Sequence, residues 1–331
     1  MSKRMPVRIG VLAIASAFAC IRLDALAQSQ DCCPGECCPA SIVVPFSPGG
    51  SADFVARQFA TVLATLLRTQ VVVDNRAGSG GALAMQYAAQ RVPDGSSVLL
   101  GTNGVLFTSQ LSTKARLSLT SDFTPVGRIA VAPQVLLVPV GTRFSSVREL
   151  VDQARRNPGK VTFGSSGTAS VSQLAGELFS QSADVRFSHV PYKGSGPALT
   201  DLLAGQVDFG FFEAASALAQ IRAGRARALA VTSKTRLPAL PNVPTMQEAG
   251  VPEADLQDWY GLFLPKSTPN VVVGRWQKVL LQAAADTELR ERLQANGMLV
   301  EPIAGEQFAN FLRNESQKTA TVARRADIKI D

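Results

Sequence analysis

The chain is predicted to be an α/β protein of two domains with mostly parallel sheets, and three observations predict it. Its 331 residues exceed what one small core fills. Apolar runs of strand length alternate with helical patterns, which argues for βα units. Roughly five of these runs end in a short Gly/Ser loop with a helix directly after it. Such loops collect at the carboxyl ends of strands, where open α/β sheets bind ligands.

The first unit shows the device in full. Ile42-Val43-Val44 reads as a strand and Pro45 to Asp53 as a polar loop. A helix then follows over 54–67, with apolar residues at 54, 55, 59, 62, 63 and 66. A helix N-terminus presents unpaired N–H groups and the positive end of its dipole, so it attracts anions. Gly49 and Gly50 let a ligand come close to the backbone. This loop is therefore predicted to be one wall of a small-anion site. Val71 to Asn75 is the second strand, running into the loop 76–81 and a helix over 82–90. It is not a dinucleotide fingerprint: with Gly78 and Gly80 in place, the third glycine would fall at Leu83. Ser97 to Gly101 is the third strand, ending in Thr102-Asn103-Gly104.

Val135 to Pro139 is predicted to be a crossing strand. Ser146-Val147-Arg148-Glu149 is a capping box that opens a helix to about Arg156. Strand Val161 to Phe163 leads into the hydroxyl-rich loop Gly164 to Ser170, then a helix over 171–182. Strand 185–190, loop 191–196, helix 197–204, strand 207–211, helix 214–223 and strand 228–232 complete the second series. Trp259 to Pro265 is the expected return crossing, and three helices over about 269–285, 286–295 and 306–326 close the chain.

The formal net charge is +7, but Lys3, Arg4, Arg8 and Arg22 against Asp24 supply +3 of it. The remainder has 29 basic and 25 acidic residues and no dense Lys/Arg run, so nucleic-acid binding is not expected. Residues 1–27 read as a signal peptide: a basic start, an apolar stretch Ile9 to Ile21, and Ala25-Leu26-Ala27 as the cleavage site. The expected product is periplasmic. Cys20 as a lipoprotein cysteine is the disfavoured alternative. Residues 28–40 form a Cys-rich mature N-terminus. Cys32, Cys33, Cys37 and Cys38 can chelate a soft metal or form two disulfides in an oxidising compartment, and a local tie without a role in the site is favoured.

Each site candidate has an ordinary alternative. Asp53 either faces a ligand or, the favoured reading, caps its helix and orients the loop. Lys193 either pairs with a second carboxylate or is a solvated loop lysine. Glu213 meets an ammonium or hydroxyl of the ligand, or caps a helix. Phe46, Phe212 and Trp259 wall the cleft, or belong to the core. His189, the lone histidine, lies in a predicted strand, and no Gly-x-Ser-x-Gly elbow exists, so catalysis is not expected. No metal and no cofactor are expected in the site.

Taken together the motifs resemble the Bug family, the extracytoplasmic solute-binding subunits of tripartite tricarboxylate transporters. The resemblance spans about Ile42 to Asp331. It rests on Val44-Pro45-Phe46 with Pro48-Gly49-Gly50-Ser51-Ala52-Asp53, on Asn75-Arg76 with Gly78 and Gly80-Gly81, and on Pro93-Asp94-Gly95, Gly101-Thr102-Asn103-Gly104 and Asp122-Phe123-Thr124-Pro125-Val126. Further along it includes Ser165-Ser166-Gly167, Leu174-Ala175-Gly176-Glu177-Leu178-Phe179, Val190-Pro191-Tyr192-Lys193-Gly194, Leu240-Pro241-Asn242-Val243-Pro244-Thr245 and Ile328-Lys329-Ile330-Asp331. The resemblance implies a type II periplasmic binding protein whose two lobes close on a small carboxylate, with two ordered waters helping to fix that group. It implies delivery to membrane permease subunits or, alternatively, to a sensor kinase ectodomain.

The expected lobes are residues 41–140 with 257–331, and residues 141–256. The candidate ligand-binding residues are Phe46, Ser47, Gly49, Gly50, Ser51, Asp53, Gly80, Gly81 and Asn103 from the first lobe. Ser165, Ser166, Thr168, Ser170, Lys193, Phe212 and Glu213 come from the second. The chain departs from the family in its lead-in to the first strand, at Gln173 and at Phe212-Glu213, so ligand selectivity is expected near Gln173, Phe212 and Glu213.

Overall fold

The first lobe is built on three parallel strands, and in two of them alternate residues enter two different cores. The structure is a computed structural model and describes residues 40–112, 116–168 and 170–328. The signal-peptide reading, Cys20, the four-cysteine segment and the Lys329-Ile330-Asp331 end of the last motif lie outside those residues. Strand β1 (Ala40–Val44) pairs in parallel with β2 (Val71–Asn75) and β3 (Ser97–Thr102). Ile42, Val44, Val98 and Leu100 join the core beneath helix α1 (Ser51–Leu67), whereas Val43 and Leu99 join the core beneath α2 (Ala82–Ala89) and α3 (Asn103–Leu111). That split follows from the two-residue period of a strand, and it makes these strands apolar on both faces. Helix α1 buries Val55, Ala56, Phe59, Ala60, Leu63 and Leu67. It stops at Arg68, whose backbone turns left-handed (φ 52°) and donates back to the Ala64 carbonyl.

The second lobe repeats the plan. Helix α4 (Val147–Arg156) begins at Ser146, whose hydroxyl accepts from the Glu149 amide. Strands β5 (Thr162–Ser165), β6 (Ser188–Pro191) and β7 (Phe209–Glu213) are mutually parallel, with β5 in the middle. Helices α5 (Val171–Ser182), α6 (Ser195–Leu203) and α7 (Ala214–Arg222) cover them, and β8 (Ala226–Val231) follows. Phe163, Phe179, Phe187, Phe209 and Phe211 pack as one aromatic cluster with ring centroids 4.8–6.3 Å apart. Burying each such ring contributes about 1.5–3 kcal/mol.

Two long strands join the lobes, and they run against the parallel sets. Strand β4 (Phe123–Pro139) pairs antiparallel with β9 (Gln257–Pro265) from Phe123 to Pro133, then with β7 and β8 from Gln134 onward. The sheet order is β2-β1-β3-β9-β4-β7-β5-β6, with β8 and the short β10 (Ile303–Ala304) also on β4. The outer strands are thus parallel as expected and the central ones antiparallel, so the sheet as a whole is mixed. Only the last five residues of β4 were expected as strand. Pro125, Gly127 and Pro133 hide the rest, and the ladder accommodates them with register shifts at Pro125/Gly127 and Arg128/Ala130.

Helices α8 (Asn270–Ala284) and α9 (Thr287–Ala295) pack on the α1 side of the first lobe. Helix α10 (Glu306–Arg325) starts with Phe308 under Trp259 and Phe263, and its far end places Val322 and Ala323 in the second core. Among the described residues no helix is long and apolar enough to cross a membrane.

Candidate functional site

Five helices begin at one cavity of about 360 Å³. Gly50, Ser51 and Ala52 bring the start of α1; Thr102 and Gly104 bring that of α3. Ser170, Val171 and Ser172 bring α5, Ser195 brings α6 and Glu213 brings α7. The strand before each of these five helices ends at this level, so each of them points its positive end inward. Three of the five starts have no side-chain cap: those at Gly50, Gly194 and Glu213. At α1 the first ladder bond is Phe54 N–H to Gly50 O, which leaves the Ser51 and Ala52 amides free to donate into the cavity.

The hydroxyl loop forms the facing wall. Ser172 Oγ accepts from the Ser166 amide at 2.9 Å and lies 3.0 Å from both Ser166 Oγ and Ser170 Oγ. Ser170 Oγ also donates to Gly167 O and accepts from the Gln173 amide, which caps α5. Hydroxyls held in this way can turn a donor or an acceptor toward a ligand.

Acidic groups occupy the floor. The Ser51 hydroxyl donates to the Glu213 carboxylate, joining the first lobe to the second. Burial raises the Glu213 carboxyl above its ordinary range, with the Ser51 hydroxyl pulling weakly the other way. Asp258 is raised well above its ordinary range by burial and by the nearby Glu213 charge. The Tyr260 phenol is raised by burial and by both acids, so it stays protonated.

The sixteen sequence candidates divide evenly. Phe46, Gly50, Ser51, Gly80, Ser166, Ser170, Phe212 and Glu213 lie on the cavity wall. The other eight do not. Ser47 and Gly49 sit on the exposed part of the first loop, and Thr168 and Lys193 are exposed on theirs. Asp53 stands behind the loop. It accepts from the Gly49 amide at 3.0 Å, from Arg57 at 2.9 Å and from Asn75 at 2.9 Å. The Arg57 hydrogen bond above all lowers its carboxyl to about 2. Asp53 thus orients the loop, while the N-cap position belongs to Gly50.

Gly81 is buried with φ 97°, and a Cβ there would come within 2.9 Å of Val105. Asn103 is fully buried and donates to the Gln257 carbonyl at 3.2 Å. Ser165 is buried against His189, 2.6 Å from Nε2, while His189 Nδ1 faces Gln173 at 3.2 Å. Burial lowers the His189 pKa, so the ring is neutral near pH 7. Trp259 is in the core with Phe308 and Phe311. It points away from the cavity because it alternates with Asp258 and Tyr260 along β9.

Sequence reasoning missed Thr102, Gly104, Thr108, Gln134, Ser172, Ser195, Phe211, Asp258 and Tyr260 on the wall. Thr102 and Gly104 flank the chosen Asn103, and helix-start geometry could have found them. Gln134, Asp258 and Tyr260 come from the crossing strands, where only the pairing register shows which residues face the cavity.

Two α/β lobes joined by crossing strands, with helix starts of both lobes turned on one cavity, define a periplasmic-type solute-binding protein. The family described as "Tripartite tricarboxylate transporter family receptor" matches residues 55–328. The chain is 39% identical over 293 residues to the "UPF0065 protein in tcbD-tcbE intergenic region" of Pseudomonas sp. (strain P51), covering 88% of this chain and 87% of that one. It is 32% identical over 322 residues to "Protein BugT" of Bordetella pertussis, covering 97% and 98%. Among solved structures, "R. palustris Rpa4515 with adipate" superposes with a TM-score of 0.76 at 32% identity, covering 88% of this chain and 98% of that one. The chain belongs to the tripartite tricarboxylate transporter receptor family, the Bug-type solute-binding proteins. Members of this family are periplasmic receptors and not enzymes.

Proposed function

We propose that this receptor takes a small carboxylate solute into the cavity between its lobes, closes on it, and delivers it to the membrane subunits of a tripartite tricarboxylate transporter. The carrying observation is the convergence of five helix starts on one cavity, with free Ser51 and Ala52 amides at the longest of them. Such amides act as fixed donors toward an anion, and charge-assisted hydrogen bonds contribute about 1.5–3 kcal/mol each. Four or five of them, less the costs of ordering, reach about −8 kcal/mol, or micromolar binding. The relative solved with adipate supports a carboxylate ligand.

In this reading Gly50, Ser51, Gly80, Ser166 and Ser170 hold the carboxylate, while Phe46 and Phe212 enclose the rest of the solute. Residues 41–140 with 257–331 form one moving lobe and residues 141–256 the other, turning about β4 and β9. Residues 1–27 direct export. A thermal-shift screen against mono-, di- and tricarboxylates, aliphatic and aromatic, tests the proposal. At least one should raise Tm in a concentration-dependent way, and no rise with any carboxylate would overturn it.

A further inference from the structure

The cavity that helix starts make attractive to anions also holds two acidic side chains and, among the described residues, no basic one. Glu213 and Asp258 line it, and no Lys, Arg or His is among the described residues on its wall. The strand register explains how the two acids meet. Glu213 lies directly opposite Gln134 on β4, and Asp258 lies opposite Ala132, two residues earlier on the same strand. Directly opposed residues share a face of a sheet, as do residues two apart, so Glu213, Gln134 and Asp258 project to one side.

The protein itself leaves these groups underused. Glu213 stands at the N-cap position of α7 without capping it, and its carboxylate reaches instead to the Ser51 hydroxyl. One hydroxyl occupies one of the roughly four lone-pair directions of a carboxylate. Asp258 has no hydrogen bond or ion pair to any described residue. Burial and the neighbouring Glu213 charge hold its carboxyl high, and no cation among the described residues opposes them.

Gln134 points to a ligand independently. Its residue is only 3% exposed and it lines the cavity. Its backbone is engaged on both sides by Thr232, at 2.9 Å each way, while its side-chain amide makes no hydrogen bond to a described residue. An amide that lines a cavity without a protein partner can donate to, or accept from, a ligand atom there. Phe46, Phe211 and Phe212 also line the cavity.

A purely anionic solute gains from the helix starts but leaves the two buried carboxyls without a counter-charge. A solute that also carries a positive nitrogen gains from both. We infer that the receptor's solute is zwitterionic: its carboxylate sits at the start of α1 and the hydroxyl loop, and its protonated amine or quaternary nitrogen sits against Glu213 and Asp258 with Gln134 beside it. This rests on the carboxylate reading above and adds the second charge.

Titration calorimetry on the mature protein, with probes matched in length, tests it. The pairs are γ-aminobutyrate against succinate, ε-aminocaproate against adipate, and aminomethylbenzoate against terephthalate, with hexylamine as an amine lacking a carboxylate. In at least one pair the amino acid should bind at least tenfold tighter than the dicarboxylate. Glu213→Gln and Asp258→Asn should each weaken that amino acid at least tenfold and shift preference toward the dicarboxylate. If in every pair the dicarboxylate binds as tightly as its amino partner or tighter, the zwitterion assignment is overturned and the carboxylate reading stands. Hexylamine binding as tightly as ε-aminocaproate would overturn the carboxylate reading and keep the cation seat. No binding by any probe overturns both. The comparison within each pair uses the wild-type protein, so a variant that fails to fold does not shelter the inference.

Discussion

Replacing Asp53 by Asn should weaken the fold and loosen the lip of the cleft together. Asp53 is 4% exposed and accepts from the Gly49 amide, the Arg57 guanidinium and the Asn75 amide. These bonds lower its pKa from 3.8 to about 2. A difference of about 1.8 units at about 1.36 kcal/mol each is about 2.4 kcal/mol. The Arg57 side chain is 52% exposed, so solvent screening reduces the contribution to about 1–2 kcal/mol. Because the folded pKa lies below the unfolded one, this stabilisation is complete above about pH 4. It is lost as pH falls through about 2. Urea unfolding should therefore show Asp53→Asn less stable than wild type by about 1–2 kcal/mol at pH 7, with the gap closing between about pH 4 and 2. A gap that stays constant down to pH 2, or none at pH 7, would refute the linkage.

Three further outcomes follow from single contacts. A Cβ at Gly50 meets nothing nearer than Ser47 O at 4.0 Å, and φ there is −86°. Gly50→Val should thus keep stability within about 0.5 kcal/mol while calorimetry shows carboxylate binding at least ~10-fold weaker; unchanged affinity would remove the α1 start from the seat. At Gly176 a Cβ would stand 2.2 Å from the buried Phe163 ring. The cost of about 1–3 kcal/mol exceeds the helix-propensity gain of up to about 1, so Gly176→Ala should lower Tm, and a higher Tm would mean that the ring can move away. Ser146→Ala removes the acceptor for the Glu149 amide and should cost about 1 kcal/mol in denaturant unfolding, without altering ligand affinity.

The βα plan was readable because each of its units is local. An apolar run of β-branched residues, a Gly/Ser loop and a helical period sit side by side in the chain, and the helices over 147–156 and 171–182 lie where their patterns place them. The crossing strand β4 was not readable over its first half. Its two prolines and Gly127 argue locally for a loop, and pairing with β9 and β10 overrides them. Of the candidate site residues, those at a helix start after an apolar strand lie on the cavity wall most often. Asp53, Gly81, Asn103 and Ser165 have the right chemistry and neighbouring positions. Their side chains or backbone make contacts that hold the wall, the Asn103 amide nitrogen on the Gln257 carbonyl and Ser165 on His189 among them.

By itself, then, the sequence determined that strands would end in loops with free amides at helix starts, and through its ordered motifs it determined the family. Those features reside in contiguous residues, where spacing alone controls geometry. Only the tertiary structure decided that five such starts share one cavity, and that Gln134, Glu213 and Asp258, far apart in the chain, share one face of one sheet. The physical reason is register. A strand's side chains alternate with a period of two, so which residues face the ligand depends on how β4, β7 and β9 pair, and no local pattern records that.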